Sequence, residues 1–226
     1  MCGRYTLTVN RDHLSERFGC PLIVPDYRPR YNAAPMQLMP VVFEEQGQRK
    51  MMMMKWGLVP RWAKDSTLGN KLINARVETV AEKPAFRESF QQRRCIIPSD
   101  GYFEWMQLGK AKQPMRIVLK SRELFGFAGI WDNWADAEGK TLFTFSIITT
   151  AAIGTVRHIH QRMPLILRRE DEAVWLQAYL KTSLAEAASF LAKIQGFDAL
   201  EAYPIDALVN SPAHDSPELI MPAKDV

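Results

Sequence analysis

The chain has few thiols or imidazoles to work with. Its 226 residues hold three cysteines, Cys2, Cys20 and Cys95, and four histidines. An odd cysteine count with no C-x-x-C pair argues against both a disulfide framework and a zinc knuckle, so the thiols are expected reduced, with no metal and no cofactor. No uncharged apolar run approaches the ~18–20 residues of a membrane span. Arg4, Arg11 and Asp12 interrupt the stretch where a signal peptide would carry its apolar segment, so a cytoplasmic protein is expected. There is also no internal repeat and no long polar linker. At 47% hydrophobic and 24% charged composition, residues 1–226 are read as a single domain with a sizeable core.

Charge is present, and it is unevenly placed. Residues 1–169 carry 26 Lys and Arg against 15 Asp and Glu, whereas 170–226 carry 3 against 10. The arginines are spread along the chain, so they form a basic surface only after folding. Such a surface suits a polyanion such as nucleic acid; solvated charge is the plainer alternative.

Local patterns predict an α+β fold. "YTLTV" alternates as a strand, and a short helix follows, with Asn10 as N-cap and Gly19 as its stop. Segments 37–44 and 49–59 read as two strands joined around "EEQGQ", the second holding "MMMM" as core filler. Pro84 is placed to begin a helix through "PAFRESFQQRR". "CIIPSDGYFEW", "PMRIVLK", "LFGFAGIW" and "TLFTFSIITT" read as a run of strands, and helices are expected near 170–180 and 184–195. The expected architecture is one curved, mainly antiparallel, barrel-like sheet flanked by short helices.

Four stretches could carry chemistry. "MCG" places a cysteine where the initiator methionine is normally trimmed, and trimming leaves an amine and a thiol on adjacent carbons. With reference pKa values of roughly 7.7–8.0 and 8.5, both have a reactive fraction near neutral pH. In "KLINARVET" an extended chain puts Asn74, Arg76 and Glu78 on one face and Ile73, Ala75 and Val77 on the other. "DGYFEW" has the same grammar, Tyr102 and Glu104 against Phe103 and Trp105; a lone Glu on such a strand is ordinarily solvated. In "HIHQRMP" the pair His158 and His160 raises a metal reading, which the lack of nearby Cys, Asp or Glu at ligand spacing argues against. A proton carrier is the better reading.

Eight blocks in order, "MCGRYTL", "RYNAAP", "WGLVPRWAKD", "INARVET", "RRCIIPSDGYFEW", "IITTAA", "HQRMPLIL" and "LVNSP", resemble the SRAP family, the SOS response-associated peptidases or abasic-site processing proteins. The resemblance implies capture of abasic sites in single-stranded DNA. The terminal amine of Cys2, freed by loss of Met1 in a peptidase step, would condense with the ring-opened sugar aldehyde, and the thiol would close a thiazolidine. Asn74 would orient Cys2, Glu104 would be the acid/base, and His160 would move protons in ring opening, closure, lyase-type elimination or reversal. Arg4, Arg76 and Arg162 would contact phosphates, Asn32 and Thr149 would line the pocket, and Trp62 and Trp105 would stack bases. A monomer is implied, nucleoid-associated when bound to DNA. Two positions depart from the family pattern and bear on junction preference: Gln161, where many relatives have Asp, and the single tryptophan of "PRWAKD". An N-terminal nucleophile amidohydrolase and a non-covalent reader of modified bases are the alternatives. Glutaminase activity would mark the first, and failure of the complex to survive denaturing gels the second.

Overall fold

The computed structural model describes residues 2–24, 26–177 and 199–223. In chain order the elements are β1 (Tyr5–Leu7), α1 (Arg11–Phe18), β2 (Arg30–Ala33), β3 (Leu38–Glu45), β4 (Gln48–Trp56), β5 (Asn74–Arg76), α2 (Arg87–Gln92), β6 (Arg94–Ser99) and β7 (Gly101–Leu108). There follow β8 (Ala111–Leu119), β9 (Phe125–Ala135), β10 (Thr141–Ala151), β11 (Arg162–Pro164), β12 (Ile166–Leu167), α3 (Glu172–Leu176) and β13 (Leu200–Pro204).

The curved sheet expected from the sequence closes on itself. Strands β10, β4, β3, β6 and β9 form a five-stranded barrel, sealed where β9 pairs with β10 from Thr141↔Ala135 to Ile147↔Gly129. Every seam is antiparallel except β10 with β4. Closure needs a residue without a side chain on β9. A Cβ at Gly129 would lie 2.0 Å from Ile97 Cδ1 and 3.1 Å from the Ser146 carbonyl. Beside the barrel stands a second antiparallel sheet, β13-β8-β7-β1-β2. The fold is thus mostly β with a few short helices.

Locally coded elements match the sequence. Asn10 accepts from the His13 N–H and Gly19 takes a left-handed φ of 68°, bounding α1. β3 and β4 form a hairpin whose turn residues Gln46 and Gly47 both have positive φ. Met51 and Met54 are buried, and Met52 and Met53 pack against the core.

Three expectations are corrected. β4 stops at Trp56 rather than running to 59, because Gly57 turns the chain at φ 125° and its N–H donates to the Phe145 carbonyl (2.8 Å). The helix expected from Pro84 begins at Arg87; residues before it make turns, with the Phe86 N–H on the Lys83 carbonyl (2.9 Å). "CIIPSDGYFEW" is two strands in two sheets, broken at Asp100. That carboxylate is held by the Thr6 hydroxyl, by the Thr8 N–H (2.5 Å) and hydroxyl (2.6 Å), and by Arg116 (3.3 Å). The helix expected near 170–180 is seen as α3, and residues 178–198, which include the one expected at 184–195, lie outside the described residues.

The main core runs through the barrel. Tyr5 meets Trp56 and Phe127 edge-on, with ring centroids 5.2 and 5.8 Å apart. β7 is buried on both faces. Tyr102 faces the main core, and Phe103 packs with Ile205, Val209 and Leu219 in a smaller cluster that Trp105 adjoins.

Candidate active site

Strand pairing brings distant residues to the chain's start. β1 lies against β7 with Tyr5↔Tyr102 and Thr6↔Gly101, and the Phe103 N–H donates to the Arg4 carbonyl (3.0 Å). The N-terminal segment therefore continues beside Phe103–Trp105. On the barrel side, β5 runs parallel to β10, with Asn74↔Ile147 and Arg76↔Thr149. Asn74 closes the gap between the two sheets by donating its Nδ2–H to the Cys2 carbonyl (2.8 Å). Cys2 is wholly buried there.

The electrostatics follow from that burial. Desolvation pushes the Cys2 thiol far above its ordinary pKa, and the nearby Glu104 carboxylate adds to the rise. Among the described residues the Cys2 thiol makes one hydrogen bond, to the Arg4 carbonyl, long at 3.9 Å. The thiol is therefore protonated at neutral pH and needs a base to react. Glu104 is only 2% exposed, against the expectation that a lone Glu on this strand would be solvated. Burial raises its pKa, while electrostatic interaction with the N-terminal amine and with His160 pulls the other way. A carboxyl whose pKa is raised holds a proton more readily than an exposed one, which suits it to acid/base work.

His160 follows a 3-10 turn, Gly154–His158, and its N–H donates to the Val156 carbonyl (3.0 Å). His160 Nδ1 lies 2.9 Å from the Arg162 backbone nitrogen and 3.0 Å from the Arg162 carbonyl oxygen, so the Arg162 backbone holds the ring in place with Nδ1 as either acceptor or donor. The Asn74 Oδ1 and the hydroxyls of Tyr5 and Tyr102 are buried with no hydrogen-bond partner among the described residues. Cys2, Asn74, Glu104 and His160 thus share one site.

The expected DNA-contacting residues fall into groups. Arg76 is exposed and makes no side-chain hydrogen bond among the described residues. Its neighbour across β10, Thr149, is buried and bonds the Ala75 carbonyl (3.4 Å). Arg162 reaches the Thr149 carbonyl (2.6 Å) and Glu78. On the other side, Arg4 donates to Asn32 Oδ1 (3.0 Å) and to the Val209 (2.7 Å) and Asn210 (3.1 Å) carbonyls. Asn32 is fully buried, its amide spent on the Val209, Ser211 and His214 carbonyls. Trp105 is half-buried and donates its Nε1–H to Asn210 Oδ1 (2.7 Å). Trp62 is 56% exposed on the loop after β4 and bonds none of the others. A separate cleft of about 610 Å³, lined by residues that include Arg17, Asp100, Arg116 and Arg122, contains none of these residues.

A family model described as SOS response associated peptidase (SRAP) matches residues 1–212. The chain belongs to the SRAP family. A Bacillus subtilis relative named "Abasic site processing protein YoqW" is 44% identical over 97% of this chain and 99% of its own. The Gallus gallus "Abasic site processing protein HMCES" is 32% identical over 87% of this chain and 67% of its own. A crystal structure of a protein from Bacteroides thetaiotaomicron superposes with a TM-score of 0.88 at 31% identity, covering 99% of this chain and 100% of that one.

Two contributors to this SRAP site are not assigned by the sequence reading. Asn210, the partner of Trp105, lies inside the block "LVNSP", and its only signal is membership in that block. Glu78 stands two residues from Arg76 on the face read as polar. β5 ends at Arg76 and the chain turns there, with the Val80 N–H on the Arg76 carbonyl (2.8 Å), yet the Glu78 side chain still reaches Arg162.

Proposed function

We infer that this SRAP chain captures abasic sites in single-stranded DNA through a Cys2 freed of Met1. The observation that carries the reading is the placement of Cys2: wholly buried, tied by Asn74 at its carbonyl, with Glu104 close enough to perturb its thiol. Met1 would leave by hydrolysis of the Met1–Cys2 bond, with Glu104 taking a proton from water and returning it to the new amine. That step is peptidase-like.

The capture step balances without an oxidant or cofactor. The Cys2 amine adds to the open sugar's aldehyde carbon, and the adduct loses water to give an imine. The thiol then adds to the imine carbon while its proton passes through Glu104 to the nitrogen, closing a thiazolidine. A thiol held above its usual pKa cannot react until a base takes its proton, which gives Glu104 a second use. The closing attack is intramolecular, where effective molarities reach roughly 10⁵–10⁸ M, so the ring outcompetes hydrolysis of the imine.

His160 would protonate the ring oxygen on sugar opening and serve lyase-type elimination or reversal. Asn74 Oδ1 would accept from the freed amine. Arg76 and Arg162 are the phosphate contacts that the geometry favours. Arg4 and Asn32 would act by holding the 207–215 turn that supports Trp105, and Thr149 by holding Arg162. Trp105 and Trp62 would stack bases. The chain would work as a monomer in the cytoplasm, nucleoid-associated on DNA.

A denaturing gel tests this directly. An abasic single-stranded oligonucleotide should give a heat-stable adduct with the native chain and none with Cys2→Ser. Reducing the aldehyde to an alcohol beforehand should abolish the adduct. An adduct with the alcohol, or an equal one with Cys2→Ser, contradicts the aldehyde and thiazolidine chemistry; a complex that never survives denaturation favours a non-covalent reader.

A further inference from the structure

Arg162 is expected to meet phosphate, yet its guanidinium fork is already filled. Nη1 donates to Glu78 Oε1 (2.5 Å) and Nη2 to Glu78 Oε2 (3.0 Å), while Nη2 also donates to the Thr149 carbonyl (2.6 Å). Nε is buried with no hydrogen-bond partner among the described residues. A guanidinium has five N–H groups. With three engaged and one buried, a single Nη1 hydrogen is left for an incoming anion. Two carboxylate oxygens on two Nη atoms is also the arrangement by which Arg grips phosphate.

The two partners are not equally held. The Arg162 side chain is 18% exposed and anchored by Thr149, whereas Glu78 is 50% exposed in the turn after β5. A pair with one member half in water is weak, so exchanging the carboxylate for another anion costs little. The Arg162 hydrogen bonds hold the Glu78 carboxyl below its usual range, so it is charged at neutral pH. The contest is therefore between two anions for one fork.

We propose that Glu78 occupies the phosphate position on Arg162 and is displaced when a single strand binds, so that Glu78 sets the chain's affinity for single-stranded DNA. The proposal rests on the nucleic-acid reading above. Exposed Arg76, two residues away, gives an arriving strand its first cation, and the Glu78 exchange then recruits the second.

The test is fluorescence anisotropy with an unmodified oligothymidine across a salt series. Each phosphate contact on a single strand contributes about 0.7 to the slope of log affinity against log salt, which is worth about fivefold at ~0.1 M relative to 1 M. Glu78→Gln should bind up to about fivefold tighter than wild type at ~0.1 M salt, the cost of breaking a half-exposed ion pair, with an unchanged slope because both chains make the Arg162 contact; Glu78→Ala should move in the same direction, and Arg162→Gln should lower the slope by about 0.7. In an Arg162→Gln background the same Glu78 changes should add nothing. Wild type that binds while Glu78→Gln binds equally or more weakly overturns the proposal and leaves the DNA reading standing. An equal gain in both backgrounds reduces Glu78 to a general field effect and also overturns it. No binding by wild type or any variant overturns the DNA reading itself, and the proposal with it.

Discussion

Glu104 illustrates how a buried carboxyl costs stability where it sits. Its pKa is raised in the fold above the ordinary value of 4.5, so the native state binds the proton more tightly than the unfolded chain does. By linkage, Glu104's contribution is most favourable below about 4.5 and is lost as pH rises toward the raised value. A glutamine cannot ionise and escapes that loss. The stability of Glu104→Gln relative to wild type should therefore grow as pH rises from about 4 to 8, while crosslinking falls. Urea midpoints over that range check it; a difference that is flat or shrinks with pH contradicts the burial of this carboxylate. The alternation in "DGYFEW" assigned Glu104 correctly to the face of Tyr102, but the expectation of a solvated side chain was wrong. Depth comes from the N-terminal segment and the neighbouring strands packing over it, and those contacts are not written in the strand itself.

At the scale of elements, local chemistry was readable and changes of partner were not. The Asn10 cap, the Gly19 stop and the β3–β4 turn each depend on residues a few positions apart. The break at Asp100 depends on Thr6, Thr8 and Arg116, so "CIIPSDGYFEW" looks continuous in sequence and is divided between two sheets in space. Gly57 is a similar case, because its reason lies across a loop. At φ 125° any Cβ would stand 2.6 Å from the Gly69 carbonyl oxygen, where the 57–73 loop folds back to deliver Asn74 beside β10. Gly57→Ala should destabilise the fold by about 2–5 kcal/mol, combining backbone strain with overpacking. Chemical denaturation measures this. A loss below about 0.5 kcal/mol would show that the loop relaxes freely and that its closure does not hold Asn74.

Over the whole molecule, two sheets meet at one cysteine. β1 and β7 bring Cys2 and Glu104 from the open sheet, and β5 brings Asn74 from the barrel side. Four of the family blocks supply Cys2, Asn74, Glu104 and His160, which pairing across the sheets brings near one another. A barrel-like sheet was expected, but which strands close it, β9 on β10, and the commitment of Arg4 and Asn32 to the C-terminal turn could not be read from those blocks, since both depend on which segments become neighbours. On the proposed function, this junction makes Cys2 a covalent trap. Intact mass of the purified chain, alone and after mixing with an abasic single-stranded oligonucleotide, tests it most directly. The account predicts a chain lacking Met1, and an adduct equal to that chain plus one oligonucleotide minus one water, the water released on imine formation. A chain that lacks Met1 yet shows no mass gain with abasic DNA would contradict it.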